Sequence, residues 1–512
     1  MRRNNPFTEK IKTLEEISET VEELKKKGKK IVHCHGVFDL LHPGHIRHLA
    51  EAKEKGDVLV VTITDDEFVN KGPGRPVFNH RLRAECIAAL EYVDFVAINR
   101  YPTAVEAIKK LKPNLYVKGK EYSRREDDVT GKIYDEEEAV KSVGGDICFT
   151  EDITFSSTEL LNVHFKVFPE DANDFLQRFK KEYNAQSIIR RLKSLENLKI
   201  LVIGDTIIDE YHYCVGIGKP QKDNIVATKY LYEERFAGGT LAVANHVAGF
   251  CKNVHLVSLI GGKNEYMEFI KSKLHPHIKS KFFVKKDVTT VVKRRFLDPS
   301  FLTKMFELYF IDEFILEDNL ERRIINYLDE RLDEYDVVIV SDFGHCFISK
   351  KIIELLCAKA KFLAVNTQIN SANMGFNLIT KYPRADYICI DEPEIRLAMH
   401  DKFSDLKDIV VKLSKIVKCP RITITRGHKG ALTYFKEKGI FFIPAFSKKI
   451  VDRVGAGDAC LAVTSLVAAS NFSCQELGFI CNAVGALAVL IVGNREPIDP
   501  ISLYRFITTL LK

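Results

Sequence analysis

The sequence predicts an α/β protein of two domains, each built on a mostly parallel sheet with helices on its faces. Three observations lead there. Short apolar runs alternate with amphipathic helical stretches, the pattern that parallel sheets with crossover helices require. The alternation comes in two series, divided near Phe165 by a polar, helix-prone stretch without strand signal. A chain of 512 residues also exceeds what one ordinary core accommodates.

Composition narrows the class. With 46% hydrophobic and 29% charged residues the chain reads as a soluble globular protein rather than a disordered one. A net charge of +6 is dilute, and no Lys/Arg run is interleaved with aromatics, so no nucleic-acid partner is expected. The densest basic stretch, "ELKKKGKK" (23–30), reads as the end of a solvated helix, where Lys suits the macrodipole. The charged start "MRRNNPFTEKIKTLEE" lacks an apolar h-region, which predicts no secretion and a cytoplasmic location. Twelve scattered Cys without a CxxC pair suit reduced core thiols. "DACLAVTSLVAAS" and "NAVGALAVLIVGN" are separate apolar runs shorter than the ~20 residues of a spanning helix, so they read as buried core helices and no membrane is implied.

In chain order, Leu14, Ile17, Val21 and Leu24 recur at helical spacing in an N-terminal helical segment, residues 1–30. "KKIVHCHGVFD", "DVLVVTIT" (57–64), "DFVAIN" (94–99) and "NLYVKG" (114–119) are buried strands of a first domain, 31–165. Residues 166–197 read as a helical linker. "LKILVIGD" (198–205), "NVHLVSLIGG", "YDVVIVSDFG", "KFLAVNT", "ADYICID" and "PRITITRG" are strands of a second domain, 198–512.

Five of the fifteen histidines, His33, His35, His42, His45 and His48, crowd into "HCHGVFDLLHPGHIRH". A metal site needs ligands on one side, completed by a carboxylate or thiolate. The last three drift around a helix at i, i+3 and i+6, and the first two lie on a strand ending below it. The layout of strand, Gly36, turn, then Pro43 and Gly44 opening a helix suits instead a phosphate held by backbone N–H groups at a helix N-terminus. His42 and His45 straddle that helix start. His33 and His48 read as structural, and His35 as either a nucleotide contact or packing.

"GVFDLLHPGH" resembles the HxGH motif of the cytidylyltransferase-like nucleotidyltransferases, and further pieces follow in that family's order. "NKGPGRPVFNHRLRAECIAALEYVDFV" is similar to its Lys/Gly/Arg-Pro loop and Arg-bearing helix, "PNLYVKGKEY" to its P-D-x-x-V-K-G-x-D-Y, and "FSSTEL" to the start of its final helix. The resemblance implies a Rossmann-like domain in which a sugar-phosphate oxygen attacks the α-phosphorus of an NTP and pyrophosphate leaves. It implies catalytic roles for His42, His45 and Lys118. Nucleotide contacts would come from Gly36, Phe38, Gly44, Arg83, Ser156, Ser157 and Thr158. Mg²⁺ bridging the phosphates is expected.

"VDRVGAGDACLAVTSLVAA" (451–469) places two glycines and a carboxylate just before an apolar helix, an anion nest beside a base. It resembles the D-T-x-G-A-G-D motif of the ribokinase/PfkB sugar kinases. "GDTIIDEYHY", "FAGGTLAVANHVAGF" (similar to G-G-x-x-x-N-x-A), "SDFGH" and "TRGHKG" are similar to further pieces of that family. The resemblance implies a ribokinase-like fold with Asp458 as general base and Gly455, Ala456 and Gly457 as anion hole. Asp209, Gly238, Gly239 and Asn245 would hold the sugar. The chain departs from the family pattern at Asn366-Thr367-Gln368, where D-P-K is usual, and at Arg453, where Thr or Ser is usual. Asp391 and Glu394 stand in place of N-x-x-E, as Mg²⁺ ligands through water.

Together the halves resemble the bifunctional heptose kinases and ADP-heptose synthases of bacterial envelope synthesis, with the domain order reversed. The resemblance implies phosphorylation of a heptose-like sugar at its anomeric hydroxyl by ATP. Nucleotidyl transfer from ATP or CTP to a sugar phosphate would then give an NDP-sugar for lipopolysaccharide or capsule. CTP-dependent activation of a polyol or other sugar phosphate, and a binding protein with a degenerate kinase domain, are the alternatives. A homodimer is expected.

Overall fold

The computed structural model describes residues 7–120, 132–150, 168–263, 266–447 and 449–512. Two compact units emerge: Met1–Phe168 together with Tyr504–Lys512, and Pro169–Leu503.

In the first unit, α1 (Leu14–Lys26) starts at a capping box in which the Thr13 hydroxyl accepts the Glu16 N–H and the Glu16 carboxylate accepts that of Thr13. It buries Leu14, Ile17 and Val21, and its last turn carries Lys25 and Lys26 at the negative end of the helix dipole. Strands β1 (Ile31–Gly36), β2 (Val58–Thr64), β3 (Phe95–Asn99), β4 (Leu115–Lys118) and β5 (Asp146–Phe149) form a wholly parallel sheet in the order β3-β2-β1-β4-β5. Helices α2 (Pro43–Glu54), α3 (His80–Ala88), α4 (Val105–Leu111) and α5 (Lys132–Ser142) accompany them. Successive strand residues feed opposite faces. Leu59, Val61 and Ile63 pack with Leu49, Ala84 and Ile87, whereas Val58 and Val60 pack with Ile17, Val21 and Ala107. Both faces of β2 are dry, which is why its residues are buried throughout rather than alternating.

The second unit opens with α6 (Glu170–Glu182) and α7 (Ala185–Lys193), where the sequence suggests a linker. Their apolar stripes are the reason they pack: α6 buries Ala172, Leu176 and Phe179, α7 buries Ile188, Ile189 and Leu192, and Phe179 stacks on Phe479 at 4.6 Å. At the other end, residues from Tyr504 onward group with the first unit. There Phe506 is fully buried, lies 6.5 Å from the Phe168 ring and fills the space beside Gly72.

The large sheet is organised by β6 (Lys199–Gly218), whose two halves have different partners. Its first half pairs in parallel with β8 (Asn253–Gly261) and β12 (Val337–Asp342). Beyond them lie β9 (Ile278–Lys285) on one side and β13 (Leu363–Thr367), β14 (Tyr387–Asp391) and β15 (Arg421–Thr425) on the other, all parallel. The antiparallel hairpin β16 (Ala431–Phe435) and β17 (Gly439–Ile443) closes that edge. The second half of β6 carries a four-stranded branch with β7 (Ala227–Gly239), β10 (Val291–Asp298) and β11 (Thr303–Phe310). Sequence patterning misses β7, β10 and β11, because their charged residues break the apolar run that marks a buried strand.

Helices α8 (Thr240–Phe250), α9 (Met267–Lys273), α10 (Asp318–Asp329), α11 (Lys350–Lys359), α12 (Glu392–Ala398), α13 (Leu406–Ile416), α14 (Ala456–Ala468), α15 (Cys474–Ala488) and α16 (Pro500–Leu510) complete the second half of the chain. Every residue of α14 from Asp458 onward is buried, as an apolar-all-round helix requires. No helix among the described residues is long and apolar enough to cross a membrane.

Candidate active sites

In the first unit the strand order reverses between β1 and β4, and the crevice beyond their carboxyl ends is where open α/β sheets bind ligands. β1 ends at Gly36, where a Cβ would come within 3.0 Å of the Phe38 ring. Phe38 itself is held at φ 49°, a strained value for a bulky side chain. Its ring meets His45 edge-on at 5.1 Å.

His42 caps α2, its Nδ1 accepting the Gly44 N–H at 3.1 Å, and its ring stacks on His45 at 3.9 Å. Burial lowers the pKa of His42 and takes that of His45 down to about 3, with His42 the next contributor. Both rings are therefore neutral near pH 7, and the capping bond assigns the His42 proton to Nε2.

The other three histidines are engaged elsewhere. His33 Nε2 and His35 Nδ1 share Thr62 Oγ1, each at 2.8 Å, and His48 Nδ1 meets Thr150 Oγ1 at 3.0 Å. Among the described residues no cluster of three His, Cys, Asp or Glu suits a metal ion.

Lys118 ends β4, and its ammonium pairs at 2.8 Å with Glu136 of α5 in a setting where both side chains are buried. Arg83, expected at the nucleotide, is 1% exposed. It donates to the carbonyls of Phe78, Val37 and Thr64 and to Asp66 Oδ1, so four of a guanidinium's N–H groups are spent fastening the loops around the crevice. Ser156, Ser157 and Thr158 lie outside the described residues.

Sequence reasoning passed over Asp39 and Arg75, fully buried and paired at 3.1 Å. Asp39 also accepts the N–H groups of Val77 and Phe78, tying the Gly36 turn to the Gly/Arg-Pro loop. Nearby, burial and the Arg75 guanidinium bring Lys71 down to about 8. The available signal was the "KGPGRP" loop itself.

In the second unit a cleft of about 280 Å³ lies beside the middle of β6, beyond the carboxyl ends of β12 and β13. It brings together Asp209, Gly239, Gly455, Gly457 and Asp458. Gly455 caps α14 at φ +84°, a left-handed turn that glycine makes without strain, and Asp458 follows in the first turn. Burial, then repulsion from Asp209, raises Asp458 to about 7, with Lys293 opposing.

Asp209 Oδ1 accepts from Arg295 at 2.5 Å. Gly238 makes room for that carboxylate, since a Cβ there would lie 2.1 Å from Oδ2. Register explains the arrangement: β10 pairs with the second half of β6 so that Lys293 stands beside Asp209. Lys293 and Arg295 are not singled out by the sequence because "VVKRRFLD" lacks the apolar run that marks a buried strand.

One expectation is corrected. Counted from Gly238, the asparagine of G-G-x-x-x-N falls on Val243, and Asn245 stands two positions on, about 200° around the helix. It lines a different pocket, and both ends of its amide are bonded to backbone, at Lys273 O and His275 N.

Asp391 and Glu394 form a capping box at the start of α12, each carboxylate accepting the other's N–H at 2.8 Å. The remaining Glu394 oxygen accepts the Ile369 N–H at 3.0 Å, and burial with repulsion from Asp391 raises Glu394 to about 8. These bonds use one lone pair on each Glu394 oxygen and leave the others, with Asp391 Oδ2, to accept from water, so the pair is kept as a proposed water-mediated Mg²⁺ site.

Residues 197–500 match the model of the pfkB family carbohydrate kinases, and residues 33–163 match that of the cytidylyltransferase-like proteins. Similar curated proteins include the bifunctional protein HldE of Aliarcobacter butzleri, 45% identical over 138 residues, 26% of this chain and 29% of that protein. HldE of Desulfatibacillum aliphaticivorans is 39% identical over 158 residues, 30% of this chain and 31% of that protein. The chain thus spans about three tenths of the length of these relatives. Among solved structures, phosphofructokinase-2 of Escherichia coli with substrates and products shares 16% identity at a TM-score of 0.48, over 61% of this chain and 99% of that one.

Proposed function

The chain belongs to the pfkB family of carbohydrate kinases and carries a cytidylyltransferase-like domain beside the kinase domain, and from this we propose that it makes and activates a sugar phosphate in two steps. The kinase half phosphorylates a heptose-like sugar at its anomeric hydroxyl with ATP. The other half transfers a nucleotidyl group from ATP or CTP to a sugar phosphate, giving an NDP-sugar for envelope polysaccharide. Mg²⁺, if it accompanies the nucleotide, would neutralise phosphate charge, with Asp391 and Glu394 holding its waters.

The observation that carries the reading is the kinase cleft, where a buried carboxylate with a pKa of about 7 sits in the first turn of a helix and faces a second carboxylate held by arginine. Asp209, fixed by Arg295, accepts hydrogen bonds from sugar hydroxyls and orients them. Asp458, half ionised near neutrality, takes the proton of the attacking hydroxyl. The N–H groups at the start of α14 face the charge that grows on the transferring phosphoryl.

In the transferase crevice the neutral His42 and His45 donate N–H groups to phosphate oxygens as pyrophosphate departs, and the start of α2 adds its dipole. Lys118, aimed by Glu136, neutralises the α-phosphoryl. Positioning and charge do the work, with no covalent intermediate.

ADP release from ATP across a panel of sugars and sugar phosphates tests the first step, and pyrophosphate release with ATP and CTP in turn tests the second. ADP with a heptose-like acceptor and pyrophosphate with a sugar phosphate are expected. Nucleotide binding without either product would sink the reading, and pyrophosphate from CTP and a polyol phosphate would replace the heptose assignment.

A further inference from the structure

The kinase cleft holds a cation that neither of its two carboxylates engages directly. Lys293, on β10, is 5% exposed and lines the cleft with Asp458 and Gly455. The Tyr309 and Phe343 rings flank its ammonium at 5.4 and 5.5 Å. No hydrogen bond or ion pair within the described residues engages that ammonium. The neighbouring cations are committed otherwise. Arg295 gives Nη1 to Asp209 and sets Nε 3.2 Å from Glu307, and Lys304 pairs with Asp452 at 2.6 Å. Arg453 also lines the cleft, but from an exposed position.

A desolvated ammonium costs free energy unless a ligand repays it. Burial lowers the Lys293 pKa, with Asp209 and then Asp458 pulling it back up and Arg295 lowering it. Transfer of the γ-phosphoryl spreads negative charge over its equatorial oxygens.

We propose, on the basis of the kinase reading above, that Lys293 is a catalytic residue whose ammonium binds the γ-phosphoryl group in flight between ATP and the sugar. In that step the sugar oxygen forms a bond to the γ-phosphorus as the bond from phosphorus to the β,γ-bridging oxygen breaks. The bonding pair leaves with ADP, and the hydroxyl proton passes to Asp458. Lys293 meets the transferring oxygens from the branch sheet, opposite the N–H groups of α14. The two rings hold the ammonium in place beforehand, so little reorganisation is needed at the moment of transfer.

Lys293→Met in the full chain keeps the apolar stem between the rings and removes the charge. The rate of ADP formation is measured with the best sugar of the panel and, independently of any sugar, with water as acceptor in slow ATP hydrolysis. The expected result is a kcat lowered about 100-fold for both acceptors, the cost of removing one transition-state charge donor. Sugar KM and pyrophosphate release should stay unchanged, thermal stability should hold or rise because a desolvated charge is removed, and Lys293→Arg should recover part of kcat.

An active wild type whose Lys293→Met variant keeps its kcat, or loses it only through a raised KM or lost stability, overturns the assignment of the lysine alone. A wild type that forms no ADP from any sugar and hydrolyses no ATP overturns the kinase reading and the lysine with it.

Discussion

Replacing Asp458 by Asn is expected to exchange catalysis for stability, in a pH-dependent way that the burial of this carboxyl dictates. In the folded chain its pKa is about 7, against 3.8 for the unperturbed group. Below 3.8 the carboxyl is protonated whether the chain is folded or not, and contributes nothing. Between the two values the folded state holds a proton that the unfolded state has released, so stability falls as pH rises. Above pH 7 the whole difference is lost. At about 1.4 kcal/mol per pH unit, the gap between about 7 and 3.8 amounts to about 4 kcal/mol.

Asn has the same shape and never ionises. Asp458→Asn should match the wild type at pH 4, gain through pH 6 and lead by about 4 kcal/mol at pH 8. Urea unfolding followed by circular dichroism at these pH values measures it, in a chain that has no Trp to report by fluorescence. The gain belongs to the transition of the second unit, because two units need not unfold as one. ADP release should be abolished while pyrophosphate release persists. In the wild type, kcat/KM for ADP release should rise about tenfold from pH 6, where about a tenth of Asp458 is ionised, to pH 8, where about nine tenths is. A stability difference that ignores pH, or a rate profile whose limb falls near pH 4, refutes the reasoning.

Three further changes separate the two sites. His45→Ala should cut pyrophosphate release at least about 100-fold and leave ADP release intact. Because burial keeps the His45 pKa at about 3, the wild-type profile should show no limb near pH 6.5 that this variant removes; such a limb would mean a charged ring. Glu136→Gln takes from the buried Lys118 its carboxylate partner at 2.8 Å. A loss of about 3–5 kcal/mol in the first unit's unfolding and slower pyrophosphate release are expected, and undiminished stability would argue against a paired lysine. Gly238→Ala drives a methyl to 2.1 Å from Asp209 Oδ2. The displaced carboxylate should raise the sugar KM about tenfold or more, the worth of one charge-assisted hydrogen bond, with ATP binding unaltered as measured by calorimetry.

Much of this was open to reading in one dimension. A strand dry on both faces must be apolar at every position, so "DVLVVTIT" and "YDVVIVSD" declare a parallel sheet without any knowledge of their neighbours. Helix starts are equally local: His42-Pro43-Gly44 and Gly455-Ala456-Gly457 carry their cap and turn chemistry within three residues. Where a residue's role depends on a partner far along the chain, local reading fails. Asp391 and Glu394 have the spacing of a metal pair and of a capping box alike, and the strand end that places Asp391 at the helix cap is what forms the box. Arg83 carries the charge of a phosphate ligand, yet its position beneath two loops turns its N–H groups onto carbonyls.

The sequence by itself therefore determined the apolar parallel strands of both sheets, the two glycine-marked helix starts and the residue types gathered there, because each rests on periodicity or on contacts within a few residues. Tertiary structure alone decided which charges meet. It is the second half of β6 pairing with β10 that sets Lys293 and Arg295 beside Asp209, some 85 residues away in sequence, and α5 packing near β4 that gives Lys118 its glutamate. It also returned Tyr504–Lys512 to the first unit, where burial of Phe506 beside Gly72 outweighs their place in the chain. Such pairings follow from where strands and helices pack, and no local pattern encodes that.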